Sequence, residues 1–257
     1  MTGKMDLRLS GSNTVSGGEY NIVRISGSGK INGNIKCSEI HCSGSAKVFG
    51  DLCSERVSAS GSLSVEGDII CQTLSTSGSL KCKGAEAAQS VSCSGSSAFS
   101  GPLKADSLLG SGSVIVSGGI HCREITISGS CTASDGDVEA ETFKSSGKLQ
   151  IDTLLNAEHV DITPTSGSHI GSIGGSSIEI TRPTEHGFAL FRSKAANSVP
   201  LIVIGSIEGD NVRLECTSAK VVRGKDVVIG IGCKVDRVEY TGTLDAADGT
   251  VKEFVRV

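Results

Sequence analysis

The sequence predicts an all-β protein, a parallel β-helix in which the chain winds as a solenoid of about seventeen residues per coil. Three observations lead there. Ser-Gly pairs recur at Ser26-Gly27, Ser43-Gly44, Ser60-Gly61, Ser77-Gly78, Ser94-Gly95, Ser111-Gly112 and Ser128-Gly129, each glycine seventeen residues after the last, and Gly33, Gly50, Gly67, Gly84, Gly101 and Gly118 keep the same step. Within each copy the apolar residues are spaced by two or four, which is the period of strands and not of helices. Aromatic residues make up only 3% of the 257, tryptophan is absent and 34 residues are glycine. A core without large side chains must be narrow, filled by Val, Ile, Leu, Cys, Ala and Ser, and narrow cores go with solenoids.

Met1 to Val23 holds an imperfect first copy, in which Leu9-Ser10-Gly11-Ser12 leads to Gly18, Tyr20, Ile22 and Val23. It is expected to form the first coil with a capping strand, since a terminal repeat must cover an open end of the core. From Arg24 the copies align position by position. The eighth position holds Ile31, Val48, Val65, Cys82, Phe99 and Val116; the twelfth holds Ile35, Leu52, Ile69, Glu86, Leu103 and Ile120, with Glu86 the exception. Three short strands separated by glycine corners are expected in each coil, with parallel stacking about 4.8 Å apart. Asp135-Gly136-Asp137 replaces the second glycine of a longer copy and reads as a bulged corner; Lys144 to Val160 resumes the pattern.

Residues 1–160 therefore form an N-terminal β-helix. Residues 161–200 are expected to be an irregular connector, because Pro164, Pro183, Pro200 and Gly174-Gly175 interrupt the register there and proline removes a ladder donor. Residues 201–257 read as a shorter β-helix segment, in which Val212 and Leu214 are echoed fifteen residues later by Val227 and Ile229.

A net charge of −4 without a basic run offers nothing to attract nucleic acid. No apolar stretch approaches the roughly 20 residues that span a bilayer, and Met1 to Leu9 lacks the apolar core of a signal peptide, so a cytoplasmic protein is expected. The ten cysteines fall mostly on apolar repeat positions, Cys37, Cys71 and Cys122 on one and Cys42 and Cys93 on another. They read as buried structural thiols, and no CxxC pair suggests a metal. No cofactor is expected.

The five histidines are scattered. Asp51 and Asp68 share a repeat position one coil apart, which is the best lead toward a carbohydrate-active β-helix enzyme, since stacked acids serve general acid–base chemistry. No aromatic platform accompanies them, and a solvated face is the simpler reading. A hexapeptide-repeat acyltransferase needs eighteen residues per coil and is disfavoured by seventeen. A β-helix ends in unpaired edge strands over an open core, which must be capped or joined to another end. The residues placed to do so are Leu7 and Leu9 on one side and Phe254, Val255 and Val257 on the other. Phe188, Leu190 and Phe191 form a candidate patch for a partner, and with them a non-polymerising adaptor is the alternative to an enzyme.

The glycine-cornered coils, the short Val/Ile/Leu strands and the run Val221-Val-Arg-Gly-Lys-Asp-Val-Val-Ile-Gly-Ile-Gly-Cys233 resemble the bactofilin family of bacterial polymer-forming cytoskeletal proteins. The resemblance implies a right-handed helix, assembly end to end into homo-oligomers or filaments without nucleotide, and roles in cell shape or in scaffolding cell-envelope proteins. The expectation is thus a structural, self-associating cytoskeletal or scaffold protein without enzymatic activity.

Overall fold

The computed structural model describes residues 4–182 and 201–257, so the Phe188, Leu190 and Phe191 patch lies outside the described residues. The fold is an all-β solenoid of parallel strands with about 17 residues per turn. The chain divides into two compact units, Met1–Gly136 and Asp137–Val257. The division falls in the expected bulged corner, where Asp135 takes a left-handed φ of 59°.

In the N-terminal unit one coil explains the repeat length. Ala46, Val48, Leu52, Ser54, Val57 and Ala59 point inward and are at most 5% exposed. Each of three faces supplies two of them, two residues apart. The corners from Val48 to Leu52 and from Ala59 to Leu63 take steps of four, whereas Ser54 to Val57 takes a step of three. Four at all three corners would give eighteen, so the single short corner makes seventeen. That short corner also corrects the expected strand count. It carries no glycine and does not interrupt the ladder, so Leu52–Ala59 is one strand folded over two faces, and each coil has two glycine corners, not three.

The register confirms the stacked columns: Ile31 faces Val48, Val48 faces Val65, and Phe99 lies between Cys82 and Val116. Glu86 is exposed because the register slips by one residue: Ala85 lies between Ile69 and Leu103 and fills the inward column. An irregularity between Ala87 and Ser90 restores the frame, so that Val91 faces Leu74 and Leu108. The seventeen-residue step therefore conceals one residue lost and one regained.

In the C-terminal unit Lys148–Ile162, Ser168–Ile180, Leu201–Leu214 and Thr217–Ile229 stack in parallel. Residues 168–180 are therefore a ladder strand, bulged between Ile170 and Ile173, inside the segment expected to be an irregular connector. The period hides it because a turn is inserted, putting Ile151 opposite Ile170 and Leu155 opposite Ile173, at offsets of nineteen and eighteen residues. Pro164 sits in that turn, outside any ladder. Gly174 and Gly175 keep the register, facing Asn156 and Gly209. The fifteen-residue echo holds as well, Val212 facing Val227 and Leu214 facing Ile229.

The Ser-Gly corners require glycine through close approach and not through a positive φ. A β-carbon on Gly61 would run into the carbonyl oxygens of Gly44 and Ser43 in the preceding coil; at Gly11, with no coil beneath among the described residues, the nearest atom would be 3.8 Å away. Gly61→Ala should therefore cost about 1–3 kcal/mol, as an overpacked site does, while Gly11→Ala should change stability by less than about 0.5 kcal/mol. Equal shifts in denaturant midpoint for the two variants would contradict this.

Eight of the ten cysteines are buried, leaving Cys53 exposed and Cys216 half-buried. Burial pushes the Cys71 and Cys82 thiols up to about 12. A pKa raised by folding contributes stability that is complete below the unfolded-state value near 9 and is lost as pH climbs toward the folded value. The melting temperature should accordingly fall from about pH 9 upward. A colorimetric thiol titration of the native protein at pH 8 should reach no more than two groups per chain, and all ten after unfolding.

Candidate assembly surface

The first coil of the N-terminal unit is thin. Among the described residues Leu7–Leu9 pairs only with Ile22–Ile25, placing Leu7 on Val23 and Leu9 on Ile25. Leu9 is 3% exposed and belongs to the core, whereas Leu7 is half-buried. Of the two expected contact residues, only Leu7 is therefore within reach of a partner. The following strand, Ser12–Glu19, sets Val15 over Ile31 and Gly18 over Ile35, so its inward side chains are small. Tyr20, which the sequence marks only as part of the cap, lies beside Gly18 and donates its hydroxyl to the Ser16 carbonyl at 3.1 Å. Asp6 Oδ1 holds the coil down by accepting the Ile22 N–H at 3.2 Å and the Asn21 amide at 3.0 Å.

In the last coil of the C-terminal unit, Val251–Arg256 pairs with Lys234–Tyr240, with Val251 on Val235 and Phe254 on Val238. Val235 and Val238 are buried, but Phe254 is 53% exposed. It occupies a core column whose next member is missing among the described residues. Val255 stands over Glu239 and is half-buried, whereas Val257 is exposed. The three expected residues are thus separated: Phe254 tops the core, Val255 lies on a different column, and Val257 extends beyond the strand. Val251 also caps a core column and was missed, because a single valine after Asp-Gly-Thr carries no repeat signal.

The flank of this coil is fixed by charge. Arg223 donates to Glu208 at 2.6 Å and to Glu239 at 2.7 Å, and Glu239 also meets Arg237 at 2.8 Å. The Arg223 hydrogen bond holds the Glu239 carboxyl below the usual carboxylate range.

Asp51 and Asp68 are brought together as expected, but by a backbone task. Asn34 Oδ1 accepts the Asp51 N–H at 2.9 Å, and Asp51 Oδ1 accepts the Asp68 N–H at 3.0 Å. Asp137 does the same for Leu154 at 3.2 Å, and Asp226 for Thr243 at 3.0 Å. A corner side chain thus satisfies a donor in the next coil. His41 meets Glu39 at 3.1 Å and His169 meets Asp152 at 3.0 Å. Among the described residues no three His, Cys, Asp or Glu side chains are grouped to hold a metal ion, and no helix is long and apolar enough to cross a membrane.

Two Bacillus subtilis (strain 168) proteins are similar to parts of the chain. Uncharacterized protein YhbF is 39% identical over 88 residues, 34% of this chain and 34% of the relative. Uncharacterized protein YhbE is 36% identical over 94 residues, 36% of this chain and 38% of the relative. The chain thus spans between a third and two fifths of the length of the curated relatives it matches. No family model matches it, and no solved structure matches it significantly.

Because Asp51 acts through an acceptor oxygen that asparagine also has, Asp51→Asn should leave the melting temperature within about 1 °C. Asp51→Ala should cost about 1 kcal/mol, the net contribution of the hydrogen bond to the Asp68 N–H. Equal losses for both would show that charge, and not the acceptor, matters there.

Proposed function

We propose that the protein is a structural scaffold of the bactofilin type, which self-associates through its terminal coils without nucleotide and without enzymatic activity. The observation that carries this reading is Phe254, half-exposed above the buried Val238 on a strand whose outer edge has no partner among the described residues. An edge of free backbone donors and acceptors beside an uncovered core column is a template for another strand. A second copy supplies the complementary surface, because the same coil geometry is present in every chain. Leu7 is the corresponding apolar residue on the first coil. The proposed setting is the cytoplasm, with cell-envelope proteins as further partners. The corner role of the Asp51 carboxylate, which accepts the Asp68 N–H, supplies a structural reason for one of the stacked acids and weakens the carbohydrate-enzyme reading.

Phe254→Arg tests this. Burying the exposed half of the ring contributes about 1–1.5 kcal/mol, so the variant should need a roughly tenfold higher concentration to assemble, with an unchanged melting curve. Sedimentation velocity across a concentration series reads this directly. Identical distributions for both proteins would sink the proposal, and addition of ATP or GTP should change neither.

A further inference from the structure

One outward face of the last coils of the C-terminal unit carries a groove of about 470 Å³, within the range of small-molecule sites. Its chemistry changes along the coil stack. At one end Ile202 and Ile204, alternate residues of one strand, are 51% and 52% exposed. In the next coils come Lys220, Lys234 and Lys252, with Ser218 stacked between Ile202 and Lys234. Asp236 pairs with Lys252 at 2.6 Å, while Lys220 and Lys234 have no carboxylate partner among the described residues. The groove therefore holds more positive than negative charge, in a chain whose net charge is −4.

Neither half of this arrangement is accounted for by folding. The core columns beneath are already closed by Val203, Ala219 and Val235, all at most 5% exposed, and outward positions elsewhere on the solenoid are filled largely by polar residues. Two isoleucines left in solvent beside unneutralised ammonium groups suit a ligand that is apolar at one end and anionic at the other. We propose that this groove binds an aliphatic anion, a hydrocarbon chain of several carbons carrying a phosphate or carboxylate. The chain lies over Ile202 and Ile204, and the anionic group lies between Lys220 and Lys234. Lys252, already held by Asp236, borders the site. The proposal is tested separately from the assembly reading, since its variants leave Phe254 and the strand Val251–Arg256 unchanged.

The test is calorimetric titration of the full chain with decyl phosphate below its micelle concentration and with inorganic phosphate, alongside flotation with phosphatidylglycerol and phosphatidylcholine vesicles. Decyl phosphate should bind at least tenfold more tightly than inorganic phosphate. Lys220→Gln and Lys234→Gln should each weaken it about fivefold. Ile202→Ser with Ile204→Ser should bring it down to the level of inorganic phosphate. All four side chains are solvent-facing, so unchanged melting curves verify that the variants fold. Flotation with phosphatidylglycerol but not phosphatidylcholine vesicles, lost in the same variants, would identify a bilayer lipid as the source; binding of decyl phosphate alone would identify a free amphiphile. Absence of binding to both decyl phosphate and vesicles, equal affinity for inorganic phosphate, or binding unaffected by the variants overturns the proposal.

Discussion

Each coil of this protein must place its backbone donors on the carbonyls of the coil before it, around a closed turn, without leaving the ladder at the corners. At the Ser-Gly corner the condition is visible atom by atom: the Ser43 and Gly44 N–H groups both reach the Ile25 carbonyl, at 2.9 and 3.1 Å, and Ser45 donates to Gly27 at 2.9 Å. Such close approach leaves no room for a β-carbon on the middle residue. Where the backbone cannot reach, Asn34, Asp51, Asp137 or Asp226 supplies an oxygen instead. Much of the composition follows, including the abundant glycine and serine and the thin core in which cysteine serves as a small apolar residue.

The same constraint underlies the proposed association. A coil satisfies its neighbour's backbone on one side and presents an identical demand on the other, so an uncovered terminal coil is a surface already shaped for a further strand. The first and last described coils meet this differently. The first uses small inward residues, Asp6 and Tyr20 to close itself, whereas the last leaves Phe254 half in solvent, flanked by the Glu208–Arg223–Glu239 ladder that holds its supporting strands in place. The asymmetry makes the Phe254 surface the stronger candidate for association.

Much of this was legible in the sequence, because inward positions on successive coils repeat at a fixed step and a step can be counted. Ile31, Val48, Val65, Cys82, Phe99 and Val116 were identifiable as one buried column for that reason. The reading failed where geometry is conserved but counting is not. Ala85 replaces Glu86 in the core through a compensated one-residue slip, and Ser168–Ile180 stays in the ladder behind an inserted turn and a bulge. The short corner at Ser54 to Val57 was hidden because it needs no glycine. For the assembly surface, alternation marked Phe254, Val255 and Val257 as a group; only the register with Val238 and Glu239 separates the core-capping residue from its neighbours.

The central claim is that coils of one molecule continue those of another. Electron microscopy of the purified wild-type chain without nucleotide, with diffraction from aligned specimens, tests it most directly. The account predicts elongated assemblies with a reflection near 4.8 Å along their length, the spacing of stacked strands. A monodisperse monomer at every concentration, or assemblies whose strand spacing runs across their long axis, would contradict it.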